Sequence, residues 1–149
     1  MTKRMWMAVI SLLGLFLGLY LTLFHYGYIG SLACGVGSCE RVQTSTWSVL
    51  LGIPLSLWGM GFYALMFILA IAGIQPQYAD SRGLSLAMFL LSGWGVLFTA
   101  WLDYLQGWVI HGWCEYCLTS GVFVLILFVL SGVEWRQMKS LETEELTAG

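Results

Sequence analysis

Charged residues are scarce in this sequence. Only 9% of its 149 residues are Asp, Glu, Lys or Arg, whereas soluble domains carry about 25%. Six basic and eight acidic side chains are too few to cover the surface of a soluble domain, which excludes a soluble or a disordered protein. The net charge of −2 provides no basic face for phosphates, so a nucleic-acid-binding protein is excluded as well.

Regular alternation of apolar and polar residues is also missing, which disfavours a membrane β-barrel. The apolar residues form continuous runs instead, with 59% hydrophobic residues and a mean hydropathy of +0.82. Each membrane helix needs about 20 apolar residues, and the chain is long enough for three to five of them. The sequence contains no internal repeat. We therefore predict an all-α integral membrane protein.

Charge-free stretches locate four spans. No Asp, Glu, Lys or Arg occurs over 5–39 or over 42–79. Pro54 divides the second stretch, and span two can begin there because proline is tolerated in the first turn of a helix. We predict spans at about 5–26, 54–74, 84–106 and 114–133, within one domain over 1–134. Residues 44–52 are predicted to form a short amphipathic segment at the membrane surface, 107–112 a loop, and 135–149 a polar, frayed tail.

The basic residues predict the orientation, because cytoplasmic loops are enriched in Lys and Arg. Five of the six cations fall before span one, between spans two and three, or after span four: Lys3, Arg4, Arg82, Arg136 and Lys139. We therefore expect both termini in the cytoplasm and the loops at 27–53 and 107–113 outside. The first apolar run exceeds the 7–15 residues of a typical signal-peptide core, so we expect it to be retained as a span.

All four cysteines fall on the predicted outer side, where disulfides form and persist. Cys114 and Cys117 form a C-x-x-C motif at the predicted start of a helix, where backbone N–H groups and the helix dipole stabilise a thiolate. Cys34 and Cys39 lie in a glycine-rich loop that can bend towards a partner. Because the thiolate is the nucleophile in disulfide exchange, the pattern favours redox chemistry.

Other interpretations of the cysteines remain open at this point. Two structural disulfides could staple the loops of a non-catalytic membrane subunit. Four thiolates could hold zinc, although the two pairs flank different spans, and we expect no metal site. A transporter of metals or small molecules would show charged or broken segments within several spans, and only Asp103 approaches that description.

Taken together, the motifs resemble the bacterial type of the vitamin K epoxide reductase family. The residues that carry the resemblance are the two cysteine pairs, Arg41-Val42, Ser45, Trp47, the segment 52–59 (GIPLSLWG) and Tyr63. They cover about residues 5–134. The resemblance implies a four-transmembrane-helix bundle around a quinone pocket, capped by the outer loop and a short horizontal helix. The Dsb-type membrane oxidases are similar in span count, but they carry their C-x-x-C pair in the first outer loop.

The resemblance also implies a function. The chain would be a quinone-dependent thiol oxidoreductase of the bacterial inner membrane, with its cysteines on the periplasmic side. A separate periplasmic thioredoxin-fold partner, similar to DsbA, would pass electrons to Cys34 and Cys39. Cys39 would then attack Cys114, and Cys117 would reduce ubiquinone or menaquinone from the membrane pool, so that disulfide formation is promoted.

The implied cofactor-binding residues are Leu55, Trp58, Tyr63, Gly121 and Ser45. Vertebrate members have an Asn near the start of span two and a Tyr after the C-x-x-C motif, both tied to vitamin K. Leu55 and Gly121 stand near those places, which favours plain quinone reduction over reduction of a vitamin K epoxide. Ser45 could hydrogen-bond near the loop cysteines or cap the horizontal helix.

Several further residues each have a functional and a structural interpretation. Asp103, near the outer end of span three, could handle protons or reach interfacial water, and His111 could do the same. Arg41 could stabilise a thiolate or remain solvated. Aromatic residues could line the pocket or anchor the membrane interface: Phe62, Trp94, Phe98, Trp101 and Tyr116. Gly14 and Gly18 form a G-x-x-x-G motif that permits close helix packing.

Overall fold

Four long helices dominate the structure, which is a computed structural model describing residues 2–28, 49–77, 82–110 and 115–148. Helix α1 covers Thr2–His25, α2 Leu55–Ile74, α3 Arg82–Tyr104 and α4 Glu115–Ala148. Each is long and apolar enough to cross a membrane. The predicted all-α, four-span fold is therefore confirmed, and the helix ends at the predicted loops lie within a few residues of the expected positions.

A small β-hairpin precedes α2. Strands β1 (Val49–Leu50) and β2 (Ile53–Pro54) pair antiparallel, and both turn residues, Leu51 and Gly52, have positive φ angles of 56° and 79°, as two-residue hairpin turns require. Trp58 Nε1 donates a hydrogen bond to the Leu50 carbonyl oxygen at 3.2 Å. The hairpin is thereby attached to the first turn of α2.

The hairpin corrects part of the sequence analysis. Residues 49–52, expected to belong to an amphipathic surface segment, form the hairpin instead, and 44–48 lie outside the described residues. Pro54 does not occupy the first turn of α2 but immediately precedes it as the N-cap residue. Its missing N–H is without cost at a helix start, where backbone donors have no intrahelical partner.

The helices pack as two pairs. The most extensive contacts join α1 to α2 and α3 to α4, and α1 also contacts α4. Fully buried Met7, Met66, Met88 and Leu127 form the centre, while many large apolar side chains face outward, as lipid contact requires. In a membrane, close packing replaces the hydrophobic effect as the force between helices.

The glycines of the G-x-x-x-G motif allow the close approach of α1 and α2. A Cβ atom at residue 14 would collide with the Tyr63 ring, and one at residue 18 would lie 2.8 Å from Met60 Cγ. Both positions therefore need glycine for steric reasons. The motif acts here in packing of two helices within one chain.

Arg4 joins all four helices at one end of the bundle. Its guanidinium donates to Glu134 of α4 and to the Gly73 carbonyl oxygen at the end of α2. It also donates to Ser85 Oγ of α3 at 3.2 Å. Arg4 is only 3% exposed. We call this group of residues (Arg4, Gly73, Ser85 and Glu134) the Arg4 clamp.

The C-terminal segment differs from expectation. Residues 135–148, predicted as a frayed tail, continue α4 as a regular helix to Ala148. The segment contains neither Gly nor Pro before residue 149 and is rich in good helix formers. Arg82 of α3 pairs with Glu142 and lies 5.7 Å from the centre of the Trp135 ring, which holds the extension against the bundle.

The segment after α3 also differs from expectation. Leu105–Ile110, partly assigned to a loop, forms a π-helix that directly continues α3. Short π-helical turns are rare and often occur at functional sites. Residues 111–114, including His111 and Cys114, lie outside the described residues.

Candidate functional site

A cavity of about 390 Å³ opens at the end of the bundle opposite the Arg4 clamp. All four helices, β1 and the π-helix contribute to its wall. Five aromatic side chains from α2 and α3 form much of the apolar lining: Trp58, Phe62, Tyr63, Trp94 and Phe98. Trp58 and Trp94 are 41% and 65% exposed. Their apolar rings therefore lie where the cavity meets the outer surface of the bundle.

Polar groups line one part of this apolar cavity. They come from α2, α3, the π-helix and α4: Ser56, Thr99, Asp103, Gln106, Cys117 and Ser120. The Ser56 hydroxyl oxygen is buried and has no hydrogen-bond partner among the described residues. Because buried polar groups are normally satisfied, Ser56 is an available hydrogen-bonding group for a ligand.

Cys117 lies in the first turn of α4, with its side chain on the cavity wall. The partial positive charge at a helix N-terminus favours the thiolate form of a cysteine there. Ser120 and Val124 follow at three and seven residues, spacings that keep them on the same helix face. One face of α4 therefore presents sulfur, then a hydroxyl, then an aliphatic side chain to the cavity.

Tyr63 connects α2 to this face of α4. Its hydroxyl donates to the Ser120 carbonyl oxygen at 3.0 Å and lies 2.7 Å from Ser120 Oγ. The side chain is only 2% exposed, and its ring packs on Gly14. Tyr63 is consequently fixed at both ends, by the glycine of α1 and by the backbone of α4.

Asp103 and Gln106 form a hydrogen-bonded pair at the junction of α3 and the π-helix. Gln106 Nε2 donates to Asp103 Oδ1 at 3.2 Å, and Gln106 is 2% exposed. A Cβ atom at residue 121 would lie 3.0 Å from Thr99 Cγ2 and 3.8 Å from Asp103 Oδ2. Asp103 is thus placed beside α4, one helical turn after Cys117.

Residues 5–132 match the Vitamin K epoxide reductase family. The chain belongs to this family. Members are membrane oxidoreductases that generally use quinones as electron acceptors. Together with the four apolar helices, family membership makes the chain a multi-pass membrane oxidoreductase.

The cavity fits a quinone ring. Ligand sites commonly enclose about 300–1,000 Å³ and combine an apolar, aromatic lining with a few placed polar groups, and this cavity has both features. Ser56, whose hydroxyl has no partner among the described residues, and Cys117 line the same cavity as the five aromatic rings. The site of this family member can therefore hold a flat apolar ring that carries oxygen atoms.

Of the five residues expected to bind the cofactor, four lie in the described part of the chain. Leu55, Trp58 and Tyr63 line the cavity. Gly121 is not among the residues on the cavity wall, and Thr99 and Asp103 lie beside it, so its role in cofactor binding remains a prediction. Ser45 lies outside the described residues.

Three of the four expected catalytic cysteines lie outside the described residues, namely Cys34, Cys39 and Cys114, and so does Arg41. Cys117 lies on the cavity wall. The cysteine relay and its pairing remain predictions. Among the aromatic candidates, Trp101 and Tyr116 are not on the cavity wall, and they pack against Phe98 and Tyr20 instead.

Four polar residues of the cavity wall were not predicted as site residues from the sequence, namely Ser56, Thr99, Gln106 and Ser120. Helical spacing could have found three of them, because Thr99 and Gln106 lie four residues before and three residues after Asp103, and Ser120 lies three residues after Cys117. Each shares a helix face with a residue already selected for its chemistry. Ser56 stands in the segment 52–59 that carries the family resemblance, seven residues before Tyr63 and so on the same face of α2.

Proposed function

We propose that this protein is a quinone-dependent thiol oxidase that promotes disulfide formation in a separate thioredoxin-fold partner. The observation that carries the proposal is the position of Cys117 on the wall of an aromatic cavity large enough for a quinone ring. A thiolate is the reactive form in disulfide exchange, and the start of α4 is a suitable place for one.

In the proposed relay, a reduced partner first opens a Cys34–Cys39 disulfide. Cys39 then attacks a Cys114–Cys117 disulfide, which leaves both cysteines of the C-x-x-C motif as thiols once Cys34 and Cys39 have paired again. Reoxidation of Cys114 and Cys117 forms one S–S bond and releases two electrons and two protons. A bound quinone would accept the two electrons and the two protons.

The residues of the cavity have separate tasks in this proposal. Cys117 holds the reacting sulfur on the cavity wall. The aromatic rings of Trp58 and Phe98 exclude water and hold a flat ring. The Ser56 hydroxyl donates a hydrogen bond to a ligand oxygen. The apolar side chain of Leu55 at the cavity wall supports a plain quinone as ligand rather than an epoxide.

The proposed location is the bacterial inner membrane, with both termini in the cytoplasm and the cysteines on the periplasmic side. The positive charges support this orientation. Lys3, Arg4 and Arg82 lie at the clamp end, and Arg136 and Lys139 lie on the same extension of α4. Cys117 and the cavity are at the other end.

The test is single-turnover oxidation of the protein by quinone. The purified protein is reduced with dithiothreitol, the reductant is removed, and short-chain ubiquinone is added while its absorbance is followed. We expect the parent and a Cys34→Ala variant to reduce the quinone and a Cys117→Ala variant to be inactive. Equal rates for Cys117→Ala and the parent would refute the role of Cys117. Cysteines that resist reduction by glutathione would favour a stapled, non-catalytic subunit instead.

A further inference from the structure

We propose that Asp103 is the proton donor of the cavity, held in place by Gln106, so that quinone reduction at this site draws a proton from Oδ2 of Asp103. This inference rests on the proposed function. It assigns a catalytic role to a carboxyl group and a positioning role to an amide, neither of which belongs to the cysteine relay.

The first argument is the position of Asp103. Its side chain lines the same cavity as Cys117. Asp103 Oδ2 lies 3.8 Å from the Cβ position of residue 121, and residue 121 follows Cys117 by four residues, about 6 Å along the helix axis. Asp103 therefore lies on the wall of the cavity that would hold a ring beside Cys117, one helical turn from Cys117 along α4.

The second argument is the hydrogen bond from Gln106. Its Nε2 group donates to Oδ1 of Asp103 at 3.2 Å, and Oδ1 is thereby engaged as an acceptor. Oδ2 is then the oxygen that carries the proton in the acid form. Because Gln106 is buried, its amide holds the carboxyl group in one orientation.

The third argument is electrostatic. Within the described ranges no basic side chain pairs with Asp103. A carboxyl group at membrane depth is rare and marks a proton or ion pathway by default. Asp103 is also the one carboxyl group on the cavity wall among the described residues. A structural ion pair therefore does not explain its presence there.

Among the described residues, the other titratable groups of the cavity wall are already engaged in other ways. α2 contributes Tyr63, whose hydroxyl donates to the Ser120 carbonyl oxygen, and α4 contributes Cys117, the reacting thiol of the proposed relay. α1 contributes only Gly14, Leu17, Gly18 and Leu21, none of which ionises. Among these groups, Asp103 is the one suited to donate and recover a proton.

The electrons and protons of thiol oxidation and quinone reduction balance. Oxidation of the Cys114 and Cys117 thiols breaks two S–H bonds, forms one S–S bond, and releases two electrons and two protons. Reduction of a quinone to a quinol takes up the same two electrons and two protons. Asp103 Oδ2 gives one proton to a quinone oxygen and recovers one of the two protons released by the thiols, and the other released proton goes to the second quinone oxygen.

The experiment compares three variants with the parent in the single-turnover assay, with short-chain ubiquinone as the probe. Asp103→Asn keeps the shape of the side chain and removes its acidic proton, and Asp103→Ala leaves space for an added acid. Glu145→Gln is the matched control, because it removes one exposed carboxylate from the far end of α4. We expect Asp103→Asn to slow quinone reduction at least about 100-fold, a typical effect of losing a general acid.

Three readouts separate proton donation from a structural role. Formic acid should restore part of the Asp103→Ala rate in proportion to its concentration, and the parent pH–rate profile should contain an ionisation that Asp103→Asn lacks. Infrared difference spectra on quinone addition should show a carboxyl C=O band in the parent that is missing from Asp103→Asn. Glu145→Gln should match the parent in all these measurements.

The possible results are distinct. An Asp103→Asn variant that reduces quinone at the parent rate overturns the inference, as does a slow variant whose quinone affinity, measured by tryptophan fluorescence, falls by the same factor as its rate. An infrared band unchanged by Asp103→Asn also overturns it. If the parent itself reduces no quinone, the proposed function fails and this inference fails with it.

Discussion

Replacing Arg4 by methionine tests how the four helices are held together. The clamp buries a charge that contacts α2, α3 and α4 at once, and Met retains most of the length of the side chain without its charge. In the variant, the carboxylate of Glu134 loses its partner at Oε1, while Oε2 has no partner among the described residues even in the parent. An almost buried carboxylate is then left without compensation.

The expected loss follows from this arrangement. Removing one member of a buried ion pair costs about 3–5 kcal/mol, because the remaining charge stays buried. The lost hydrogen bonds to the Gly73 carbonyl and Ser85 contribute about 0.5–1.5 kcal/mol each within that range. An Arg4→Met, Glu134→Leu double variant buries no unpaired charge, so we expect its loss to be smaller than the sum of the two single losses by at least about 2 kcal/mol.

Arg82 and Glu142 provide the control pair. Their side chains are 48% and 40% exposed, and exposed ion pairs contribute about 0–1 kcal/mol. The free energy of unfolding is measured by circular dichroism during titration of dodecylmaltoside micelles with sodium dodecyl sulfate. The reasoning is wrong if Arg4→Met costs no more than Arg82→Met, or if the Arg4 and Glu134 losses are additive.

Three further predictions concern the cavity and the orientation of the chain. Gly14→Ala should destabilise the protein by about 1–3 kcal/mol and weaken quinone binding, because the new Cβ atom collides with Tyr63, whereas Gly61→Ala meets no atom within 4 Å and should be neutral or stabilising; unfolding and fluorescence titrations measure both effects. Tyr63→Phe should cost about 0.5–1.5 kcal/mol by removing the hydrogen bond from the Tyr63 hydroxyl to Ser120, and an unchanged unfolding free energy would contradict that hydrogen bond. A membrane-impermeant maleimide should label reduced Cys34 in intact cells, and labelling only after lysis would reverse the orientation.

The sequence was sufficient to predict the spans, because hydropathy is a property of each residue and charges are excluded from the bilayer core. The boundary at Leu55 followed from Pro54, whose chemistry limits where it can stand in a helix. The continuation of α4 to Ala148 was not predicted, since the polarity of 135–148 was read as fraying although its residues have good helix propensity.

The lining of the cavity was harder to predict. In a soluble protein, polar and apolar faces show which side of a helix is buried, but the lipid-facing side of a membrane helix is as apolar as its interior side. In α2, Trp58 lines the cavity, whereas the neighbouring Leu57 does not. The packing around Gly121 was not predicted for the same reason, since the sequence did not indicate that Thr99 and Asp103 of α3 lie beside it.

Helix α4 is long enough to project from the membrane at the end of the molecule away from the cavity. Its 34 residues extend about 50 Å at 1.5 Å per residue, while the hydrocarbon core is about 30 Å thick. The last 15 residues of the helix, from Glu134 to Ala148, account for about 22 Å of this length, and Arg82 braces them near their midpoint. A fluorescent protein or an affinity tag joined after Ala148 would therefore be displayed at a defined height and direction, well separated from any ligand that enters beside Cys117.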